Sequence, residues 1–278
     1  MSITAKSVAE AESCLRSGKP VEALAHLQAA IRSQPADAKL RIFLFQLLSV
    51  LGQWDRALNQ LNVAAELEAS ALAMAQMYRE ALRCEVLRSE VFAGKRAPLL
   101  FGEPEQWLAL LIESLLTSAR GQHEAAAGLR AQAFDQAPTT AGRLDGVPFE
   151  WIADADTRLG PVCEAVINGR YYWIPFSRLS RLDIEAPTDL RDFVWAPAHF
   201  QFVNGGEAVG VIPTRYPGSE QDSDGGIQLA RRTEWLADGD DFRGIGQRLL
   251  TTDQGEYALL DIRRIDLGEV AETGQVDG

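Results

Sequence analysis

Three histidines, His26, His123 and His199, are the side chains whose ordinary pKa lies nearest neutrality, so general acid–base work would fall to them first. His26 and His123 lie far in sequence from any carboxylate cluster, and His199 sits in a strand-like run among aromatics. Each reads as a structural or surface residue. No G-x-S-x-G elbow presents a serine nucleophile. Gly244-Ile245-Gly246 is a lone G-x-G without the later glycine of a dinucleotide fingerprint, and no G-x-x-x-x-G-K loop is there to cradle phosphates. Cys14, Cys84 and Cys163 are odd in number and show no C-x-x-C spacing, so neither a zinc site nor a disulfide framework is indicated. The acidic groups DAD (154–156), DSDGG (222–226) and DGDD (238–241) are dense enough for a hard cation, but none runs on into a calcium loop with its closing glutamate. They read as solvated loops, with DSDGG as a mobile surface loop. No metal and no cofactor are expected.

What remains is binding chemistry. NGRYYWIPF (168–176) packs two tyrosines, a tryptophan and a phenylalanine behind a turn signal. RLSRL (178–182) is followed by Asp183, Glu185, Asp189, Arg191 and Asp192, which favours ion pairs, although Arg178, Arg181 and Arg191 would also suit an acidic partner.

The elements that position these residues change character midway. The first half is rich in Ala, Leu, Gln and Glu, good helix formers. GKPVEALAHLQAAIRSQP (18–35) repeats as GQWDRALNQLNVAAELEA (52–69), aligning Gly18 with Gly52, Ala23 with Ala57, Leu27 with Leu61 and Ala30 with Ala64. That 34-residue period is the length of a tetratricopeptide unit, two helices joined at a tight glycine turn. GQHEAAAGLRAQAFDQAP (121–138) is a degenerate copy. Between the copies the pattern predicts a long helix to about Phe92, a loop to Pro104 and a helix from about Glu105, for roughly six helices in all. Such stacks form a groove that holds a peptide or helix. In standard geometry Glu12 and Leu15 of the first unit and Ile42, Gln46 and Ser49 of the second face it. The competing reading is a stack that only buttresses the second domain.

From about Asp145 the texture shifts toward short strands. VCEAVI (162–167) and RYYWIPF (170–176) flank Asn168-Gly169, the signal for a type I′ hairpin. The two-residue turn pairs Ile167 with Arg170 and Glu164 with Trp173. Alternation then puts Tyr172 and Ile174 on one face and Tyr171 and Trp173 on the other. Either the hairpin is covered on both faces or one aromatic face is open to a partner. Further strands are expected in 193–203, 208–216, 226–237 and 256–267, and a short helix in 243–253. The fold class is α+β and multidomain: a tetratricopeptide-like helical stack over 1–138, a linker over 139–149, a compact antiparallel barrel or roll over 150–269, and a disordered tail over 270–278.

The formal net charge is −12, which argues against nucleic acid. Residues 1–145 carry 15 Lys and Arg against 16 Asp and Glu, and the remainder 12 against 23, so the acidity lies in the second half. The start of the chain lacks the apolar core of a signal peptide, and the longest apolar stretch is too short and too polar to span a bilayer. A cytoplasmic location is expected.

RLGPVCEAVINGRYYWIPFSRLSRLDIEAPTDLRDFVWAPA (158–198), PTRYPGSE (213–220) and GEYALLDIRRI (255–265) resemble the ImpE/TagJ (SciE-type) family of type VI secretion accessory proteins, whose members also begin with a tetratricopeptide-like region. The resemblance implies a non-enzymatic protein of the contractile sheath. It implies binding of the N-terminal helix of the small sheath subunit, TssB, close to the route by which the unfoldase ClpV recycles the sheath. No catalytic residues carry over. The motif positions Asn168, Gly169, Arg170, Tyr171, Tyr172, Trp173, Pro187, Thr188, Asp189, Leu190, Arg191, Trp195 and Pro197 are structural or interfacial. Tyr171, Trp173, Arg178, Arg191 and Trp195 join the groove residues as candidate partner contacts. The alternatives are a small-ligand or hydrolytic domain in the β-rich half, using His199 or the aspartate clusters, and a purely structural scaffold.

Overall fold

Glycine at the head of each repeat sets the helical architecture. Gly18 and Gly52 adopt φ of 72° and 64°, the left-handed conformation that closes a tight interhelical turn at little cost to glycine. Around them fold α1 (Ile3–Arg16), α2 (Pro20–Ser33), α3 (Ala38–Val50) and α4 (Trp54–Leu67) as two helical hairpins. Ala23, Leu27 and Ala30 of the first and Ala57, Leu61 and Ala64 of the second are fully buried, the small residues letting the helices close. Asp37 caps α3 by accepting from the amides of Lys39 and Leu40. The long helix α5 (Leu72–Phe92) follows, then β1 (Leu99–Leu100), and α6 (Gln106–Ala119) with α7 (His123–Gln136) form a third hairpin. There are thus seven helices over this region among the described residues, against the six expected. The odd one is α5, which packs on α4 and on the sheet and has no hairpin partner of its own.

The computed structural model describes residues 3–238 and 241–268. The tail expected over 270–278 lies outside them, as does the middle of DGDD. The β half contains β2 (Gly142–Leu144), β3 (Val147–Phe149), β4 (Ile152–Asp154), β5 (Val162–Ile167), β6 (Arg170–Pro175), β7 (Leu179–Ile184), β8 (Trp195–Phe202) and β9 (Glu207–Pro213). It continues with a single helical turn, α8 (Gly225–Gln228), and then β10 (Thr233–Asp238), β11 (Asp241–Gly246), β12 (Leu249–Thr252), β13 (Gly255–Ala258) and β14 (Arg264–Leu267).

Nine strands form one sheet in the order β1-β6-β5-β9-β8-β7-β14-β2-β3. Every neighbour pair is antiparallel except β1 with β6. Its end strands do not meet, so the expected barrel is an open sheet. A small sheet, β13-β12-β4, and the hairpin β10–β11 complete the domain. Residues expected to be a linker supply β2 and β3 at the sheet edge, and the helix expected in 243–253 is instead strand, β11 and β12. The run 226–237, expected as one strand, splits into α8 and β10.

The hairpin adopts the expected register, from Ile167 opposite Arg170 to Glu164 opposite Trp173, with φ of 50° at Asn168 and 72° at Gly169. Its two faces enter two different cores. Tyr172 and Ile174 pack with Cys163, Ala165, Leu182, Phe200 and Ile265 beneath the sheet. Tyr171 and Trp173 join Val162, Val166, Trp195 and Val211 in a core shared with the helices, including Leu47, Leu61, Tyr78 and Leu111. The hairpin is therefore covered on both faces, and the helical stack and the sheet share one hydrophobic core.

Candidate partner-binding site

The residues with the strongest chemistry are locked beneath α5. Arg88 reaches from α5 to Glu164 on β5 through two hydrogen bonds, Nε to Oε1 at 2.7 Å and Nη2 to Oε2 at 3.0 Å, and Nη2 also donates to the Arg215 carbonyl at 2.7 Å. Glu164 further accepts from the Tyr171 hydroxyl and from Arg248. Arg248 donates on to Asp154 and, at 3.0 Å, to the Pro213 carbonyl, while Tyr216 donates to Asp154 at 3.1 Å. Trp195 Nε1 donates to Glu85 at 2.8 Å. These groups are nearly water-free, with Glu164 at 0% and Arg88 at 5% exposure. Taking such charges out of water costs several kcal/mol each, so the paired geometry is what keeps them there. Burial alone would raise the Glu164 carboxyl, but Arg88 and Arg248 outweigh it and hold the pKa at about 2. Burial pushes Asp154 up to about 6 despite Arg248, with Asp156 adding to the rise.

DAD is thus a buried structural pair rather than a solvated loop, since Asp156 is held by Arg158 and by the Gly244 amide at 2.9 Å. DSDGG is likewise ordered: Asp224 caps α8 by accepting from Gly226 at 2.6 Å and pairs with Arg232. No group of three or more His, Cys, Asp or Glu among the described residues is arranged to hold a metal. His199 is half-exposed and lies 3.4 Å from Glu207, and His26 pairs with Glu10 at 3.1 Å.

The groove expected on the repeats is filled by the chain itself. Ser49 is fully buried and Gln46 and Leu15 nearly so, with Ile42 half-buried. The turn Leu190–Phe193 packs on α3. Arg215 donates to the carbonyls of Ser49 and Val50, and Arg231 to those of Leu15 and Arg16. Only Glu12 stays on the surface. At these positions the buttress reading describes the molecule.

Tyr171, Trp173 and Trp195 are at 0% exposure, so a partner does not reach them. Arg178 pairs with Glu105 at 2.5 Å, and Arg181 with Asp266 at 2.7 Å. Arg191 pairs with Asp189 at 2.5 Å and lies 5.0 Å over the Tyr78 ring. These arginines are committed within the chain.

An open cleft lies elsewhere, between α5 and the sheet face above β7, β8 and β9. Its volume is about 840 Å³. One wall is the α5 stripe Ala73, Gln76, Met77, Glu80 and Ala81, spaced so that all share a helix face. The other is the β5–β6 turn with Val166, Asn168 and Gly169, then Asp183 to Glu185, Pro197 to His199, and Val209 to Val211. One turn further along, the same α5 face becomes Cys84, Glu85 and Arg88, so the buried network fixes the wall of the cleft. Val209 is 74% exposed and Met77 43%, large apolar groups left open to water. Met77 and Val209 carried no signal in sequence, because which parts of α5 and β9 stay uncovered is decided by long-range packing.

Residues 15–81 match the tetratricopeptide repeat family and residues 146–266 match the family described as ImpE protein. The chain is 53% identical over 256 residues to the Pseudomonas aeruginosa protein named type VI secretion system accessory component TagJ, covering 92% of this chain and 90% of that one. The crystal structure of a Vibrio parahaemolyticus protein, 25% identical, superposes with a TM-score of 0.85 over 94% of this chain and 98% of that one. Among the described residues no helix is long and apolar enough to cross a membrane.

Proposed function

Because the chain belongs to the ImpE/TagJ family of type VI secretion accessory components, we propose that it acts in the cytoplasm as a non-enzymatic adaptor that holds the N-terminal amphipathic helix of the small sheath subunit, TssB. In this reading it acts on the sheath close to ClpV-dependent recycling. The observation that carries this reading is the cleft along α5: a wide, largely apolar channel between a helix face and a sheet face, on rigid elements, with Met77 and Val209 uncovered. An amphipathic helix laid there buries its apolar stripe against both walls. The enzyme alternative has less support, since Asp154, Asp156 and Asp224 are tied to arginines and His199 lies 3.4 Å from the exposed Glu207.

The test is a binding isotherm of the TssB N-terminal helix with the full chain and with the double variant Met77→Gln/Val209→Asn. Both positions are exposed, so folding is preserved. Fully burying a side chain of this size is worth roughly 1.5–3 kcal/mol, so even partial burial of both makes the expected loss of affinity at least about tenfold. Glu12→Ala, on the repeat face, leaves affinity unchanged. Binding lost in Glu12→Ala and kept in the double variant contradicts the assignment.

A further inference from the structure

The charge of the cleft is one-sided. Glu80, Asp183 and Glu185 line it, and no lysine or arginine does. Asp183 is partly neutralised by Arg264 Nε at 2.6 Å, and Glu80 by Arg83 at 2.8 Å, both at the surface. Glu185 is exposed and has no ion-pair partner among the described residues. Glu80 stands on α5 and Glu185 just past the end of β7, so carboxylates sit on both walls, with the apolar floor of Val166, Val209 and Val211 between them. The half of the chain that supplies the sheet wall carries 12 Lys and Arg against 23 Asp and Glu, so it is net acidic as well.

We propose that the cleft selects a basic amphipathic helix: an apolar stripe for the floor, flanked by lysine or arginine side chains that meet Glu80 and Glu185 across it. The inference rests on the helix-binding reading above and specifies the chemistry of the occupant. An acidic helix of equal hydrophobicity is repelled by the same carboxylates, which makes charge the element of discrimination. Lysine and arginine suit this geometry because their methylene stems lie along the apolar floor while their charged ends reach the rim.

The experiment measures association and dissociation of the TssB N-terminal helix with the full chain by surface plasmon resonance, at low and at high sodium chloride. It is repeated for Glu80→Gln/Glu185→Gln, for Glu185→Lys, and for the control Glu256→Gln, an exposed carboxylate on β13 away from the cleft. The expected result is binding that weakens with salt, about five- to tenfold weaker in the double variant, mainly through a slower on-rate, weaker still in Glu185→Lys, and unchanged in the control. Helix binding to the wild-type chain that is indifferent to salt and to both cleft variants overturns the charge inference and leaves the helix reading standing. Equal weakening in the Glu256→Gln control also overturns it, since the effect is then the charge of the whole domain. No binding of the helix to the wild-type chain at any salt overturns the helix reading and this inference with it.

Discussion

Replacing Glu164 by glutamine probes the joint between the helical stack and the sheet. The carboxylate accepts from Arg88 of α5, from Arg248 and from Tyr171, all buried. Glutamine keeps the shape but turns one oxygen into an amide donor that faces a guanidinium donor. Breaking a buried ion pair by removing one partner costs about 3–5 kcal/mol, because the remaining charge stays desolvated. Here Arg88 keeps the Arg215 carbonyl at 2.7 Å and Arg248 keeps Asp154, so the lower end, about 3 kcal/mol, is expected. That is a large share of the 5–15 kcal/mol by which domains are stable, and it lowers the melting temperature by about 6 °C or more.

The effect also has a pH signature. The Glu164 pKa falls from an ordinary 4.5 to about 2 on folding, so its contribution is present above 4.5 and is lost as pH falls through about 2. The stability gap between wild type and Glu164→Gln therefore narrows between those values. Asp154 runs the other way: raised from 3.8 to about 6, it contributes stability below 3.8 that is lost as pH rises through about 6. Urea unfolding at a series of pH values measures both. A Glu164→Gln penalty below about 1 kcal/mol, or one that does not change between pH 5 and pH 2, refutes the reasoning.

Two further outcomes follow from how the side chains are packed. Burial pushes the thiols of Cys84 and Cys163 up to about 12, so in the native protein only Cys14 reacts with a disulfide reagent at pH 8, while all three react in denaturant. Gly169→Ala must hold φ near 72° and brings its Cβ to 3.1 Å from the Glu80 side chain, so a loss of about 1–2 kcal/mol in urea unfolding is expected.

The hairpin at Asn168-Gly169 was legible in sequence because everything that sets it is local: two positive-φ turn residues and a period-two alternation fix register and faces together. The repeat was legible for the same reason, since Gly18, Ala23 and Leu27 recur as a set. What the sequence hid is long-range. Arg88 and Glu164 are 76 positions apart, and neither residue type carries a signal naming the other. Leu99 and Leu100 are a two-residue strand inside a loop, paired with Tyr172 and Trp173 of β6. DAD looked solvated because its arginine partners include Arg248, 94 residues from Asp154. A free-standing stack of repeats leaves its groove open, whereas here Leu190–Phe193 packs on α3 and fills it. The cleft exists because α5 covers only part of the sheet, a fact of packing rather than of pattern.

The most direct test of where the partner sits is amide hydrogen exchange of the full chain with and without the TssB N-terminal helix. Protection is expected along Ala73 to Ala81 of α5 and at Val209 to Val211 of β9, the two walls of the cleft. Protection confined to α1 and α3, with α5 and β9 unchanged, contradicts the account.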